Sequence, residues 1–167
     1  FIALIGLTLF FSGNANASIL FAPSITHSTR AQNDNGAPEQ NSKTTLLDLR
    51  LGYVFESGIY VGGLYSLFDS SIFQDSSDFH FGPSVGYARG GFLAAFTYYV
   101  FGERDLAGGN VKYANISGYQ VDIAYTVPVT KNFSLGPQLT LHEVEYKEAQ
   151  TNGQVVEYDL KWSGITP

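Results

Sequence analysis

Apolar and polar residues alternate along most of the chain with a period of two. In the stretch Tyr119–Val129 every second residue is apolar, and most of the residues between them, including Gln120 and Asp122, are small or polar. The stretch Phe133–Leu141 repeats the pattern. Side chains that alternate in this way lie on opposite faces of a β-strand. The pattern therefore predicts strands that each have one apolar face and one polar face.

The same alternation, interrupted by turn-forming residues, predicts eight strands and no helix. Their predicted bounds are Ser18–Thr29, Thr44–Phe55, Ile59–Phe68, Asp78–Ala88, Phe92–Glu103, Tyr113–Val129, Phe133–Lys147 and Val155–Pro167. Short turns alternate with long polar loops along the chain. The short turns are Glu56–Gly58, Arg89–Gly91 and Thr130–Asn132, and the long loops are Arg30–Lys43, Asp69–Ser77, Arg104–Lys112 and Glu148–Gln154. An antiparallel meander of this kind has its long loops at one end, and its first and last strands can pair and close the sheet.

Composition indicates one ordered domain, and the N-terminal segment indicates export. The chain has 167 residues, 44% of them hydrophobic, and its formal net charge of -6 argues against nucleic acid as a partner. It contains neither Cys nor Met. The apolar run Ile2–Phe11 and the small-residue site Ala15-Asn16-Ala17 are typical of a signal peptide. We therefore expect residues 1–17 to be a partial signal peptide that lacks its initial Met, and residues 18–167 to form the mature domain.

The polar face of the predicted strands carries charges that need partners. Its members are expected to form an inward-facing structural network, namely Asp48, Arg50, His80, Gln120, Asp122, His142, Asp159 and Lys161. In a soluble sandwich the apolar faces would point to a core, whereas in a transmembrane barrel they point to lipid and the polar faces line the interior. A buried charge without a partner is costly, so we expect ion pairs in the second case, with Arg50 and Asp159 as one candidate.

Aromatic residues lie close to the ends of several predicted strands. They are Tyr53, Phe55, Tyr87, Tyr98, Tyr125, Tyr146 and Tyr158. In membrane barrels, aromatic residues form girdles at the two interfaces between lipid and water. These positions are therefore consistent with a membrane barrel, and they also suit an ordinary β-protein.

Four prolines fall inside predicted strands, at Pro23, Pro83, Pro128 and Pro137. Proline has no backbone N–H group to donate to the neighbouring strand, and a closed barrel has no free edge on which to place it. A small residue, Ala or Gly, precedes Pro23, Pro83 and Pro137. We therefore expect β-bulges beside these three small residues.

With these features the chain resembles the small eight-stranded bacterial outer-membrane barrels, the group of the outer-membrane protein A membrane domain. The resemblance covers residues 18–167 and rests on the strand pattern, the Gly-rich turns and the segment Phe81-Gly-Pro-Ser-Val-Gly-Tyr87. It implies an all-β fold, an eight-stranded antiparallel up-and-down transmembrane β-barrel in the bacterial outer membrane, inserted by the barrel-assembly machinery. Such barrels end in an aromatic C-terminal signal, which Thr166-Pro167 does not match, so we expect the last strand to be cut short.

The predicted function is that of a non-enzymatic membrane scaffold with a side-chain-filled lumen and four long extracellular loops available for binding or adhesion. The sequence has no phosphate loop, dinucleotide fingerprint or zinc-protease helix. His80 and His142 share the inward face, but no Ser lies beside them with the facing that a lipid deacylase needs. We therefore assign no catalytic, cofactor or metal site. The alternatives are a lipid-modifying barrel enzyme, a narrow pore and a soluble secreted β-barrel that binds an apolar ligand.

Overall fold

The computed structural model describes residues 2–12, 17–32, 40–70, 76–106, 111–130, 133–151 and 154–166. Within these ranges the chain is an all-β, antiparallel fold. Its strands are β1 (Ile2–Ser12), β2 (Ala17–Gln32), β3 (Gln40–Phe55), β4 (Ile59–Ser70), β5 (Ser76–Arg89), β6 (Phe92–Tyr99), β7 (Phe101–Leu106), β8 (Val111–Tyr125), β9 (Val127–Pro128), β10 (Phe133–Gly136), β11 (Gln138–Thr151) and β12 (Gln154–Thr166). Among the described residues there is no helix long and apolar enough to cross a membrane.

Three of the predicted strands are each divided in two by a single residue. Val100 separates β6 from β7, Thr126 separates β8 from β9, and Pro137 separates β10 from β11. At Pro137 the cause is the missing backbone N–H group. The other predicted strands correspond to β2, β3, β4, β5 and β12, most of them longer than the pattern indicated.

The long loops are shorter than predicted because the strands continue into them. β2 and β3 pair as far as Gln32 opposite Gln40, well inside the predicted loop Arg30–Lys43. Likewise Asp69 pairs with Ser77 across the hairpin of β4 and β5. Polar composition indicated loops here, but a strand ladder is made by backbone groups that every residue other than proline carries in full.

Two of the three predicted short turns contain glycines in a conformation that other residues rarely adopt. The third, Thr130–Asn132, lies partly outside the described residues. Gly90 and Gly91 have φ angles of 62° and 86°, as a two-residue hairpin turn with positive φ at both positions requires. Gly58 has a φ of 88°, and its N–H group donates to the carbonyl oxygen of Phe55 at 2.8 Å. Thus glycine fixes these turns at the positions where the sequence predicted them.

The strands pair in the order β12-β11-β8-β6-β5-β4-β3-β2-β1-β10-β9, and β7 pairs with β5 and β8. The strands at the end of this path continue strands near its beginning. A single residue joins β10 to β11, and a single residue joins β8 to β9. The path of paired strands therefore returns to its starting point. β1 supplies the return, so β2 pairs with β1 and not with β12 as expected. Cleavage of the segment that contains β1 stays a prediction.

Burial alternates along the strands and places polar residues on the inner face. In β5, Asp78, His80 and Ser84 are buried, whereas Phe81 and Val85 are exposed. The buried apolar residues form two clusters. The first contains Leu20, Val54, Tyr60, Ala88, Leu93, Ala95 and Ala124, and the second contains Leu64, Tyr99, Ile116, Val144 and Tyr146. Along β6 and β8, polar residues lie between members of these two clusters.

Of the three bulges predicted beside prolines, the structure has one, beside Pro83. Pro23 lies opposite Leu49 with no shift in register, and the pairs on both sides of Pro137 keep one register with β8 and β9. The expected bulges are therefore not found at these two positions. Beside Pro83, however, the register between β5 and the β6–β7 strand shifts by one residue, and the neighbouring Val100 and Phe101 are both exposed. An extra residue in the facing strand is a bulge, and it lies where the proline lacks a donor.

Candidate functional site

The inner face carries a polar network built around Arg50, on β3. Its guanidinium group forms an ion pair with Asp122 on β8, and both side chains are almost fully buried. Arg50 Nη1 also donates to Ser84 Oγ, on β5, at 2.5 Å. The guanidinium carbon lies 5.8 Å from the centre of the Tyr60 ring, a distance at which a cation is attracted to an aromatic face. Arg50 therefore joins three strands that are not neighbours in the sheet.

Asp48, also on β3, receives hydrogen bonds from two other strands. Gln120 Nε2 on β8 donates to Asp48 Oδ2 at 2.7 Å, and the hydroxyl of Ser66 on β4 donates to Asp48 Oδ1. Tyr99 donates its hydroxyl hydrogen to the amide oxygen of Gln120. Each side chain in this set is buried and partnered, which is the condition under which buried polar groups are tolerated.

Asp122 accepts from several donors besides Arg50. Thr140 Oγ1 and Gln138 Nε2, both on β11, donate to Asp122 Oδ1 at 2.6 and 3.0 Å. Gln120 Nε2 lies 3.0 Å from both carboxylate oxygens. One arginine thus faces two carboxylates, and neutral donors supply the remaining hydrogen bonds. We call the set Asp48, Arg50, Ser66, Ser84, Tyr99, Gln120 and Asp122 the inner polar network.

These bonds cross the interior rather than following the sheet. Three strands separate β3 from β8 along the path of pairing, yet Arg50 and Asp122 are in direct contact. The inner faces of β3, β5 and β8 therefore face one another across the interior. Side chains from opposite walls meet in the middle, and the space between them is filled.

A second polar cluster contains Asp78, His80, Arg104 and Tyr146. Arg104 Nε lies 3.5 Å from Asp78 Oδ1, and Arg104 Nη2 donates to Ser76 Oγ at 3.1 Å. The hydroxyl of Tyr146, on β11, donates to Asp78 Oδ2 at 3.2 Å and lies 2.8 Å from His80 Nε2. Only the Arg104 side chain of the ion pair reaches solvent, with 18% of it exposed. This cluster therefore connects the buried interior to water.

A small cavity lies between the two polar groups. It has a volume of about 10 Å³ and is lined by residues that include His80, Tyr99, Gln120 and His142. A volume of that size holds about one water molecule. Side chains of the inner polar network and of the second polar cluster, among them Gln120, Tyr99 and His80, line this cavity.

The structure brings some of the sequence-predicted site residues together and leaves others apart. Asp48, Arg50, Gln120 and Asp122 are in the inner polar network, His80 is in the second cluster, and His142 is buried beside the cavity. Arg50 pairs with Asp122. The expected pair of Arg50 with Asp159 stays a prediction. The side chain of Asp159 lies outside the described residues.

Lys161 is not part of the network. Its side chain is 63% exposed, and its Nζ lies 2.9 Å from Glu143 Oε1 on β11. β12 pairs with β11 so that Lys161 lies opposite Glu145, and residues directly opposite one another share a face of the sheet. Periodicity alone assigned Lys161 to the wrong face because it does not give the register of β12.

Sequence reasoning missed the tyrosines of the interior. Tyr60, Tyr99 and Tyr146 are each at most 1% exposed, and Tyr146 had been assigned to an aromatic girdle. The room for Tyr60 comes from glycine: a Cβ atom on Gly62 would lie 2.4 Å from the Tyr60 hydroxyl oxygen. The signal was available, because Tyr146 shares its parity with His142 and Tyr60 shares its parity with Ser66.

The outer face is apolar. Of the described side chains, 28 large apolar ones are exposed, whereas the buried set contains 15 polar or charged residues and 14 apolar ones. Representative exposed residues are Leu51 (58%), Val85 (52%) and Ile123 (45%). Known proteins offer no guide to this arrangement, since the chain matches no family model, no curated protein and no solved structure. What the protein does must therefore be argued from the two faces.

Proposed function

We propose that the protein is a non-enzymatic outer-membrane β-barrel, a membrane scaffold whose interior is filled by side chains. The sheet offers eight positions around the path of pairing. Seven are β2, β3, β4, β5, β6 with β7, β8 with β9, and β10 with β11, and the eighth is shared by β12 and β1. An eight-stranded transmembrane barrel is the arrangement that fits this path.

The observation that carries the proposal is the reversal of the two faces. Soluble proteins leave single apolar residues on the surface, but a face in which apolar residues alternate with buried polar ones on strand after strand is a large continuous patch. Lipid is the surrounding in which such a face is stable. Polar side chains are unfavourable in contact with lipid, and here they lie inside, where they pair with one another.

The antiparallel pairing supports a membrane location for a second reason. In the hydrocarbon layer, no water is present to satisfy backbone N–H and C=O groups, so a sheet must pair both edges of every strand. The path of pairing here returns to its starting point and leaves few edges open. Bacterial proteins that cross a membrane in this way belong to the outer membrane, and insertion by the barrel-assembly machinery follows from that location.

The interior favours a plug over a pore. Eight strands enclose a space only wide enough for side chains, and here the inner polar network spans it. Binding or adhesion is then left to the hairpin ends that connect β2 to β3, β4 to β5, β7 to β8 and β11 to β12. Their tips lie outside the described residues, and their ligand stays undefined.

Detergent dependence tests the membrane assignment. We expect the purified protein to be monodisperse in detergent micelles and to aggregate when the detergent is removed, because the outer apolar face then meets water. Size-exclusion chromatography with light scattering, with and without detergent, is the measurement. A protein that stays monomeric in water would contradict the proposal and favour a soluble β-protein.

Planar-bilayer recording tests the filled interior separately. The wild-type protein should give no stable conductance steps, although fluorescence or proteolytic protection shows that it is inserted. Large, reproducible steps from inserted wild-type protein would contradict the plug and leave the membrane location intact.

A further inference from the structure

One edge of the stretch formed by β10 and β11 is shared by two strands that meet end to end. The other edge is taken by β9 and β8. On the shared edge, β12 pairs with Thr140–Thr151 and β1 pairs with Phe133–Gly136. Both strands are antiparallel to this stretch, so β12 and β1 run in the same direction. β12 ends its pairing opposite Thr140, and β1 resumes the same line opposite Gly136.

β1 also covers the edge of β2. Its pairing runs from Ile2 opposite Ser28 to Ser12 opposite Ser18. β1 therefore lies between two strand edges, in a position that we call the β2–β10 slot. Strand edges present unpaired N–H and C=O groups that bind extended chains through main-chain hydrogen bonds. The slot thus fits an extended strand and does not fit a helix or a folded domain.

The walls of the slot also specify a residue pattern. On β10, Leu135 is exposed and Ser134 is buried. Residues directly opposite one another share a face of the sheet, so an occupant needs an apolar residue opposite Leu135 and a small or polar one opposite Ser134. The chain places Leu7 opposite Leu135 and Thr8 opposite Ser134. The sequence of β1 therefore matches the pattern at this register.

We propose that the β2–β10 slot is a strand-acceptor site, which takes an extended segment of alternating apolar and small residues that runs in the direction of β12. In this chain Ile2–Ser12 is the occupant. The occupant is exchangeable, because backbone hydrogen bonds and a short residue pattern hold it. A strand joined to the C-terminal end of β12 enters the same slot in the same direction without crossing a loop, and it displaces β1. This proposal concerns strand pairing and does not rest on the membrane assignment.

Disulfide trapping tests whether β1 fills the slot. The test uses the 167-residue chain refolded in vitro, so that residues 1–17 are retained. The chain has no Cys, so an introduced pair reports a single contact. The variant with Thr8→Cys and Ser134→Cys joins residues that lie directly opposite, at a Cα separation of about 4.5–5.5 Å in an antiparallel pair, which a disulfide can bridge. We expect this pair to cross-link on oxidation. Thr8→Cys with Thr140→Cys, which is out of register, should stay reduced. Failure of the first pair to cross-link in folded protein would overturn the proposal.

A chain extension tests whether the occupant is exchangeable. An added segment of alternating apolar and small residues after Pro167 should abolish the cross-link between positions 8 and 134. The control extension has the same length but proline at alternate positions, and it should leave the cross-link unchanged. A separate variant with Thr140→Cys and Thr166→Cys carries the same extension and is oxidised in parallel. Its cross-link shows that the extended chain folds, because these residues are partners on β11 and β12. If the strand-forming extension leaves the first cross-link at its original level, the slot does not accept a new strand and the proposal is wrong.

Discussion

The two faces of β3 treat polar and apolar side chains in opposite ways. On the inner face, Asp48 and Arg50 are each 2% exposed, whereas on the outer face Leu51 is 58% exposed. Water-soluble proteins show the reverse preference, because burial of an apolar side chain is favourable and burial of a charge is costly. The stability of the buried charges therefore depends on partners across the interior, whereas the stability of the exposed leucine depends on the medium that surrounds the protein. Substitutions on the two faces should therefore fail for different reasons.

The largest effect is expected on the inner face, from Arg50→Ala. This change removes the cation beside Asp122 and the donor to Ser84, and leaves buried carboxylates without it. Breaking a buried ion pair from one side costs about 3–5 kcal/mol. The free energy of unfolding, measured by reversible urea titration in detergent or lipid vesicles, should fall by that amount. Arg50→Lys should cost less, since it keeps the charge. A loss below about 1 kcal/mol for Arg50→Ala would show that the ion pair is not needed.

The outer face should respond to charge through its surroundings. Leu49→Arg adds a cation to a side chain that is 36% exposed and has no charged partner to lose. Against lipid near the middle of the bilayer the cost is about 2–4 kcal/mol. In water the same exposed position would tolerate arginine within about 0.5 kcal/mol. The same unfolding titration in vesicles measures it, with Leu49→Met as the apolar control. A neutral result for Leu49→Arg would contradict the lipid-facing assignment.

The second polar cluster should be less sensitive than the inner polar network. Arg104→Ala leaves Asp78 without its ion-pair partner, but 18% of the Arg104 side chain is exposed and water can replace part of the interaction. An unsatisfied buried acceptor costs about 1–3 kcal/mol. The expected order is Arg50→Ala above Arg104→Ala under identical conditions. The reverse order would mean that the network around Arg50 is not the main polar contact of the interior.

The smallest effect is expected for Lys161→Ala. It removes one positive charge, as Arg50→Ala does, but the Lys161 side chain is 63% exposed and pairs with a partly exposed Glu143. Exposed ion pairs contribute little, because water solvates both charges well when they separate. The urea midpoint should therefore stay within experimental error of the wild type. A loss as large as that of Arg104→Ala would indicate that this pair is buried in the folded state.

Sequence periodicity predicted the facing of β3 and β8 well. Four residues of the predicted inner parity on these two strands are buried, namely Asp48, Arg50, Gln120 and Asp122. Parity is a local property, and it is reliable wherever a strand has no bulge. Parity could not predict which inner side chains pair with one another. Arg50 contacts Asp122 across the interior, and neither parity nor the order of strands in the sheet predicts that contact.

The remaining errors have physical causes of the same kind. Lys161 was assigned inward because the register of β12 against β11 is not written in β12 alone. Tyr146 was assigned to a girdle because aromatic residues near strand ends are typical of girdles. Its parity with His142 indicated the inner face, where its hydroxyl donates to Asp78. The position of β1 in the sheet had no signal in the alternation, since an apolar run is equally typical of a leader and of a strand.

Quenching by lipid tests the reversal of the two faces most directly. The chain has one Trp, so a Trp162→Phe background allows single tryptophans at the outer positions Leu49, Val85 and Ile123, and at the inner position Phe68. Lipids with brominated acyl chains quench tryptophan only on contact. We predict strong quenching in vesicles for the three outer variants, which lie on different strands, and little for Phe68→Trp. Equal quenching at all four positions, or none at the outer three in vesicle-bound protein, would contradict an apolar face turned to lipid around a filled polar interior.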